Sequence, residues 1–96
     1  MRDDMDRIET LIRSRIEEDF TNVPIVRVYV KPDTDEDGED ILWVRVIFDG
    51  QPADLDRRAL VNSPRRVFEL LASNGIDDFP IISFATAADE RLRLRN

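Results

Sequence analysis

IVRVYV at 25–30, KPDTDEDGED at 31–40 and ILWVRVIF at 41–48 follow one another without interruption, and between them they set the architecture of the chain. The outer two runs are rich in β-branched residues and alternate at period two, the patterning of half-buried strands. The middle run is dense in carboxylates and contains Gly38, so it reads as the connecting loop, an acidic hairpin loop over residues 32–40. Two strand patterns joined by a short polar loop predict an antiparallel hairpin. In strand one, Ile25 to Lys31, alternation sends Val26, Val28 and Val30 to one face and Arg27, Tyr29 and Lys31 to the other. In strand two, Ile41 to Phe48, it separates Leu42, Val44, Val46 and Phe48 from Ile41, Trp43, Arg45 and Ile47. The aliphatic face is expected to receive helices; the second face is mixed.

Upstream, Met5, Ile8, Leu11, Ile12, Ile16 and Phe20 recur at helical spacing and predict an amphipathic helix over about residues 4–20. Asp3, Asp4 and Asp6 suit its first turn, and Asn22 and Pro24 stop it. Downstream, Asp49-Gly50-Gln51-Pro52 is a turn by composition. Asp54 or Asp56 then caps a helix, which Asn62-Ser63-Pro64 is expected to break into a kinked pair. The second piece buries Val67, Leu70 and Leu71 and ends at Asn74-Gly75. Ile81 to Ala85 is a third, short strand, and Thr86-Ala87-Ala88-Asp89 resembles a capping box opening a final helix.

The predicted order is α-β-β-α-α-β with a terminal α. It describes one α+β domain over residues 1–96, two layers deep, with a three-stranded mixed or antiparallel sheet and helices packed on one face. That order is similar to the order in type II KH-like domains, including the bacterial ribosome-binding factor A family. The resemblance is one of element order, and what it implies is an RNA-associated protein. A KH domain carries a G-x-x-G loop between its paired helices, so that backbone can approach phosphates. Here that junction reads Val61-Asn62-Ser63-Pro64 and holds no glycine, so no family follows from it.

Composition removes several classes of chemistry. The chain has neither Cys nor His, which excludes disulfides, thiolate metal sites, cysteine nucleophiles and His-dependent triads. The charged first residues have no apolar h-region and no run is long enough to span a bilayer, so a soluble cytoplasmic protein of bacterial type is expected, away from membranes. The net charge of −7 is mostly local, since six acids fall between Asp33 and Asp40 while the remaining 15 acids face 14 bases. The body of the protein is therefore nearly neutral.

Three features carry candidate functions. Asp33-Thr34-Asp35-Glu36-Asp37-Gly38 matches the first half of a calcium loop, with Asp33, Asp35, Asp37 and Glu39 as ligands. The second half fails, because the distal position that needs Glu is Val44 and the flanks are strands. A solvated acidic hairpin tip is the competing reading. Second, Arg27, Tyr29, Trp43 and Arg45 share the mixed sheet face with Ile41 and Ile47, and Ile81 is a candidate addition. Aromatics among bases on an open sheet suit a protein partner or homodimer, and, as the lesser reading, single-stranded nucleic acid. Coverage by the C-terminal segment would make the same face ordinary core. Third, Arg57-Arg58 and Arg65-Arg66 could frame a phosphate around Ser63 or form a solvated face neutralised by Asp54, Asp56 and Glu69. No pair of catalytic groups emerges, so a non-enzymatic interaction module without a cofactor is the leading expectation, with calcium binding and RNA association as alternatives.

Overall fold

The computed structural model describes residues 2–95, with side chains from 5 to 94. The Asp3 and Asp4 side chains expected at the first helix start lie outside the described residues. Helix α1 (Arg2–Asp19) is followed by strands β1 (Ile25–Thr34) and β2 (Asp40–Phe48), helix α2 (Arg57–Ser73), strand β3 (Phe79–Thr86) and helix α3 (Ala87–Arg95). The class is α+β, and the order α-β-β-α-β-α differs from the expected one in a single respect. Residues 57–73 form one helix and not a broken pair. Pro64 cannot serve the Leu60 carbonyl, but it sits on the exposed side, where water can. The opposite side buries Ser63, Val67 and Leu71 along one unbroken stripe. Asp56 caps the start by accepting from the backbone N–H groups of Arg58 and Ala59. Gly75, at φ +76°, closes the end, and the Ile76 N–H reaches back to the Leu71 carbonyl.

The sheet order is β1-β2-β3, with β1 antiparallel and β3 parallel to the central β2. Antiparallel neighbours join through the acidic loop, whereas the parallel pair requires the α2 crossover. Below the sheet, Ile8, Ile12, Ile16 and Phe20 of α1 and Val67 and Leu71 of α2 meet Val28, Leu42, Val44, Val46 and Phe48 in one core. Phe20 also packs against Phe84 of β3 at 5.1 Å between ring centroids.

One residue departs from simple alternation. Ile25 pairs with Phe48 and Arg27 with Ile47, so Val26 is the extra residue of a bulge and stands 49% exposed instead of joining Val28. The bulge resets the register, which lets both Ile25 and Val28 point into the core. Arg13 of α1 donates to the Ile25 carbonyl at this point, at 2.9 Å. β1 also runs three residues beyond Lys31, its expected end, into the acidic loop.

α1 and α2 cover the aliphatic face, as expected; α3 turns back over one end of the other. Thr86 caps it, its hydroxyl accepting from the Asp89 N–H at 3.0 Å. Glu90 is 5% exposed and accepts from Arg45 Nε at 3.1 Å and from Arg93 Nη2 at 2.8 Å. At this end Ile47 is only 2% exposed.

Candidate functional site

The short α3 divides the mixed face into a covered end and an open end. Arg27, Tyr29 and Arg45 belong to the covered end. The Arg27 guanidinium lies over the Tyr29 ring at 4.9 Å, Tyr29 is half-buried opposite Arg45, and Arg45 is engaged with Glu90. Hydrogen bonds from Arg93 first, and from Arg45, hold the Glu90 carboxyl below its ordinary range despite burial. Arg45, one of the bases that could have met phosphates, is thus paired within the protein, and Arg27 is stacked on Tyr29 but exposed.

Trp43 belongs to the open end. It lies two residues along β2 from Arg45 and is 44% exposed. The parallel register places it beside Ile81, which is 37% exposed, and places Ile41 beside Phe79. The Phe79 ring lies tilted beside that of Phe68 of α2, 6.1 Å between centroids, extending the apolar surface around the sheet edge. Trp43, Ile41 and Ile81 floor a cleft of about 490 Å³ whose wall is the acidic hairpin. Floor and wall are joined by one hydrogen bond, from Trp43 Nε1 to Asp33 Oδ2 at 2.9 Å. That bond, then the Thr34 N–H and the nearby Lys31, holds the Asp33 carboxyl below its ordinary range.

The hairpin carboxylates serve the turn. Asp35 Oδ1 accepts from the N–H groups of Asp37 and Glu39, and the Glu39 carbonyl accepts from the Asp35 N–H. Asp33, Asp35, Asp37 and Glu39 are therefore not gathered around a common centre. Among the described residues, no three His, Cys, Asp or Glu side chains are placed to share a metal ion. The Arg pairs of α2 do not frame a phosphate around Ser63, because Ser63 is fully buried and Arg66 is paired with Asp19 at 2.9 Å. Nor is there a junction between paired helices for phosphate contact, since Val61–Pro64 lies within α2.

Sequence patterning missed Phe68, Phe79, Asp77 and Asp78 as members of this end. The period-two alternation of Phe79 and Ile81 was a usable signal once parallel pairing with β2 was granted. Asp78 has its carboxyl pushed up by burial and by Asp40 and Asp77, which joins β3 to the acidic end. No family model, curated protein or solved structure matches the chain. No helix among the described residues is long and apolar enough to cross a membrane.

Proposed function

We infer that this protein is a small cytoplasmic interaction module, without catalysis of its own, that docks another protein on the open end of its mixed sheet face. The observation that carries this reading is the placement of Trp43: a large aromatic ring held by Asp33, half-exposed beside Ile81, on the part of the sheet that the described residues leave open. Exposed Trp in a cleft is the usual anchor of protein contacts, and contiguous apolar surface is seldom left unused. The core does not need the ring there, since α1 and α2 pack on the opposite face and α3 engages the other end of this one. Nucleic acid fits less well, because Arg45 is paired with Glu90 and the cleft wall is anionic.

The test is site-specific photo-crosslinking in cells. A photoreactive residue at position 81 is expected to yield discrete protein adducts. The same residue at position 61, an apolar site on α2 that is 73% exposed against 37% at position 81, yields none. Trp43→Ala, shown to be folded by circular dichroism, should abolish the adducts, since loss of a hot-spot Trp weakens binding by about 2 kcal/mol or more. Equal labelling from both positions, or adducts indifferent to Trp43→Ala, would refute the reading.

A further inference from the structure

The docking surface inferred above has a floor and a wall of different chemistry, and together they select the occupant. The floor is carbon. The one polar atom of the Trp43 ring already donates to Asp33, so what the indole offers to solvent is apolar ring, continued by the exposed Ile81, with the buried Ile41 at the base of the cleft. The wall is carboxylate: Asp33, Asp35, Glu36 and Asp37 line the cleft. The β2/β3 register sets Phe79 beside Ile41 and so brings Asp77 and Asp78 to the same end of the molecule. Lys31 sits opposite Trp43 but offsets only one of these charges. The strain shows at Asp78, whose ionised form is disfavoured by burial and by its acidic neighbours. A cation arriving here relieves that repulsion.

We propose that the open end of the sheet face, resting on its reading as a docking surface, receives an extended arginine-rich segment of a partner protein. Aliphatic side chains of the segment pack on Ile81, an arginine lies on the Trp43 ring, and flanking arginines face Glu36 and Asp37. Arginine suits this cleft better than lysine, because a guanidinium stacks on an aromatic ring and pairs with carboxylates through its planar fork. The same carboxylates turn nucleic acid away. They also disfavour a second copy: two-fold pairing of this face would set two acidic ends against each other.

Trp43 is the sole tryptophan, so its fluorescence reports this cleft alone. The probes are three capped synthetic peptides of alternating sequence, Arg-Leu, Ser-Leu and Glu-Leu, titrated against the full chain. The Arg-Leu peptide should change the Trp43 emission saturably and bind about tenfold more tightly than Ser-Leu at low salt, with the gap closing toward about 0.5 M salt. Glu36→Gln with Asp37→Asn should remove most of that tenfold preference and leave Ser-Leu binding unchanged. The carboxylates of these two accept none of the hydrogen bonds that hold the turn among the described residues, so the variant keeps its hairpin. Equal binding of Arg-Leu and Ser-Leu would overturn the basic occupant while leaving the docking surface standing. Absence of peptide binding alongside persistent adducts from position 81 would do the same. Trp43-dependent dimers in sedimentation would name a second copy as the occupant and overturn the proposal. Absence of binding and of adducts alike would remove the docking surface itself.

Discussion

Phe48 and Trp43 lie on one strand, five residues apart and so on opposite faces, and the fold assigns them opposite roles. Phe48 is 1% exposed, against α1 and α2 in the core, so Phe48→Ala leaves a void that those elements cannot close. Its cost is about 3–5 kcal/mol. Trp43→Ala is different in kind. Nearly half of the ring already faces solvent, and water fills the space it vacates. The area still lost, on the order of 100 Å² at about 25 cal/mol per Å², sets an upper bound near 2–3 kcal/mol, and residual burial in the denatured chain brings it to about 1–2. Urea denaturation at neutral pH separates the two. With slopes of about 1–3 kcal/mol per M for small domains, Phe48→Ala should lower the midpoint about two to three times as far as Trp43→Ala at the central values of these costs, and farther in any case. If the alanine variant does not fold, Phe48→Leu should still exceed Trp43→Ala in cost per atom removed. Equal costs, or a reversed order, would mean that the helices pack on the Trp43 face and that the register is off by one.

Asp78→Asn should raise the melting temperature at neutral pH, because burial and then Asp40 disfavour the ionised carboxyl. A raised folded-state pKa means stability fully present below the ordinary carboxylate range and lost as pH rises through the raised value, so the gain should vanish in acid. Glu90→Gln should lower the melting temperature at neutral pH and speed hydrogen exchange in α3, by removing the shared partner of Arg45 and Arg93. Here the folded-state pKa is lowered, so the contribution is present above the ordinary range and the gap should close as pH falls through the lowered value. Calcium should shift the amide signals of residues 33–40 weakly and linearly, no more than magnesium does, because Asp33 and Asp35 are occupied by N–H donors; saturation well below about 1 mM would refute this.

Much of the fold was legible because its signals are local. The hairpin, the α1 stripe, the Asn74-Gly75 stop and the Thr86 cap each rest on residues a few positions apart. Two misses have the same cause in reverse. Pro64 is a strong local breaker, and only the buried line of Ser63, Val67 and Leu71 against α1 outweighs it. Val26 fits perfect alternation, and the bulge that ejects it is set by the pairing of Ile25 with Phe48 across the hairpin. The site divided in the same way. Trp43 was readable from strand parity, whereas its separation from Tyr29 and Arg45 depends on where α3 turns back. Asp77 and Asp78 joined the acidic end only through the parallel register of β3, a contact no period in the sequence encodes.

The Asp33–Trp43 hydrogen bond links what the sequence presents as two unrelated features, an acidic loop and an aromatic in a strand. Asp33 pairs with Ile41 across the hairpin, so its carboxylate leans over the neighbouring Trp43 and fixes the indole edge. The bond is stronger for the ionised carboxylate, which is why Asp33 stays charged to lower pH than a free side chain. A ring held this way has fewer orientations to surrender when a partner arrives, and that loss is a main opposing term in association. On the docking proposal, hairpin and strand act as one device: Asp33 orients the aromatic floor of the cleft, and the neighbouring carboxylates select the occupant by charge. On this view Asp33→Ala, which removes the acceptor of the indole N–H, weakens docking by freeing the ring even where Asp33 itself never touches the partner, and Asp33→Asn, which keeps a neutral acceptor, does so less.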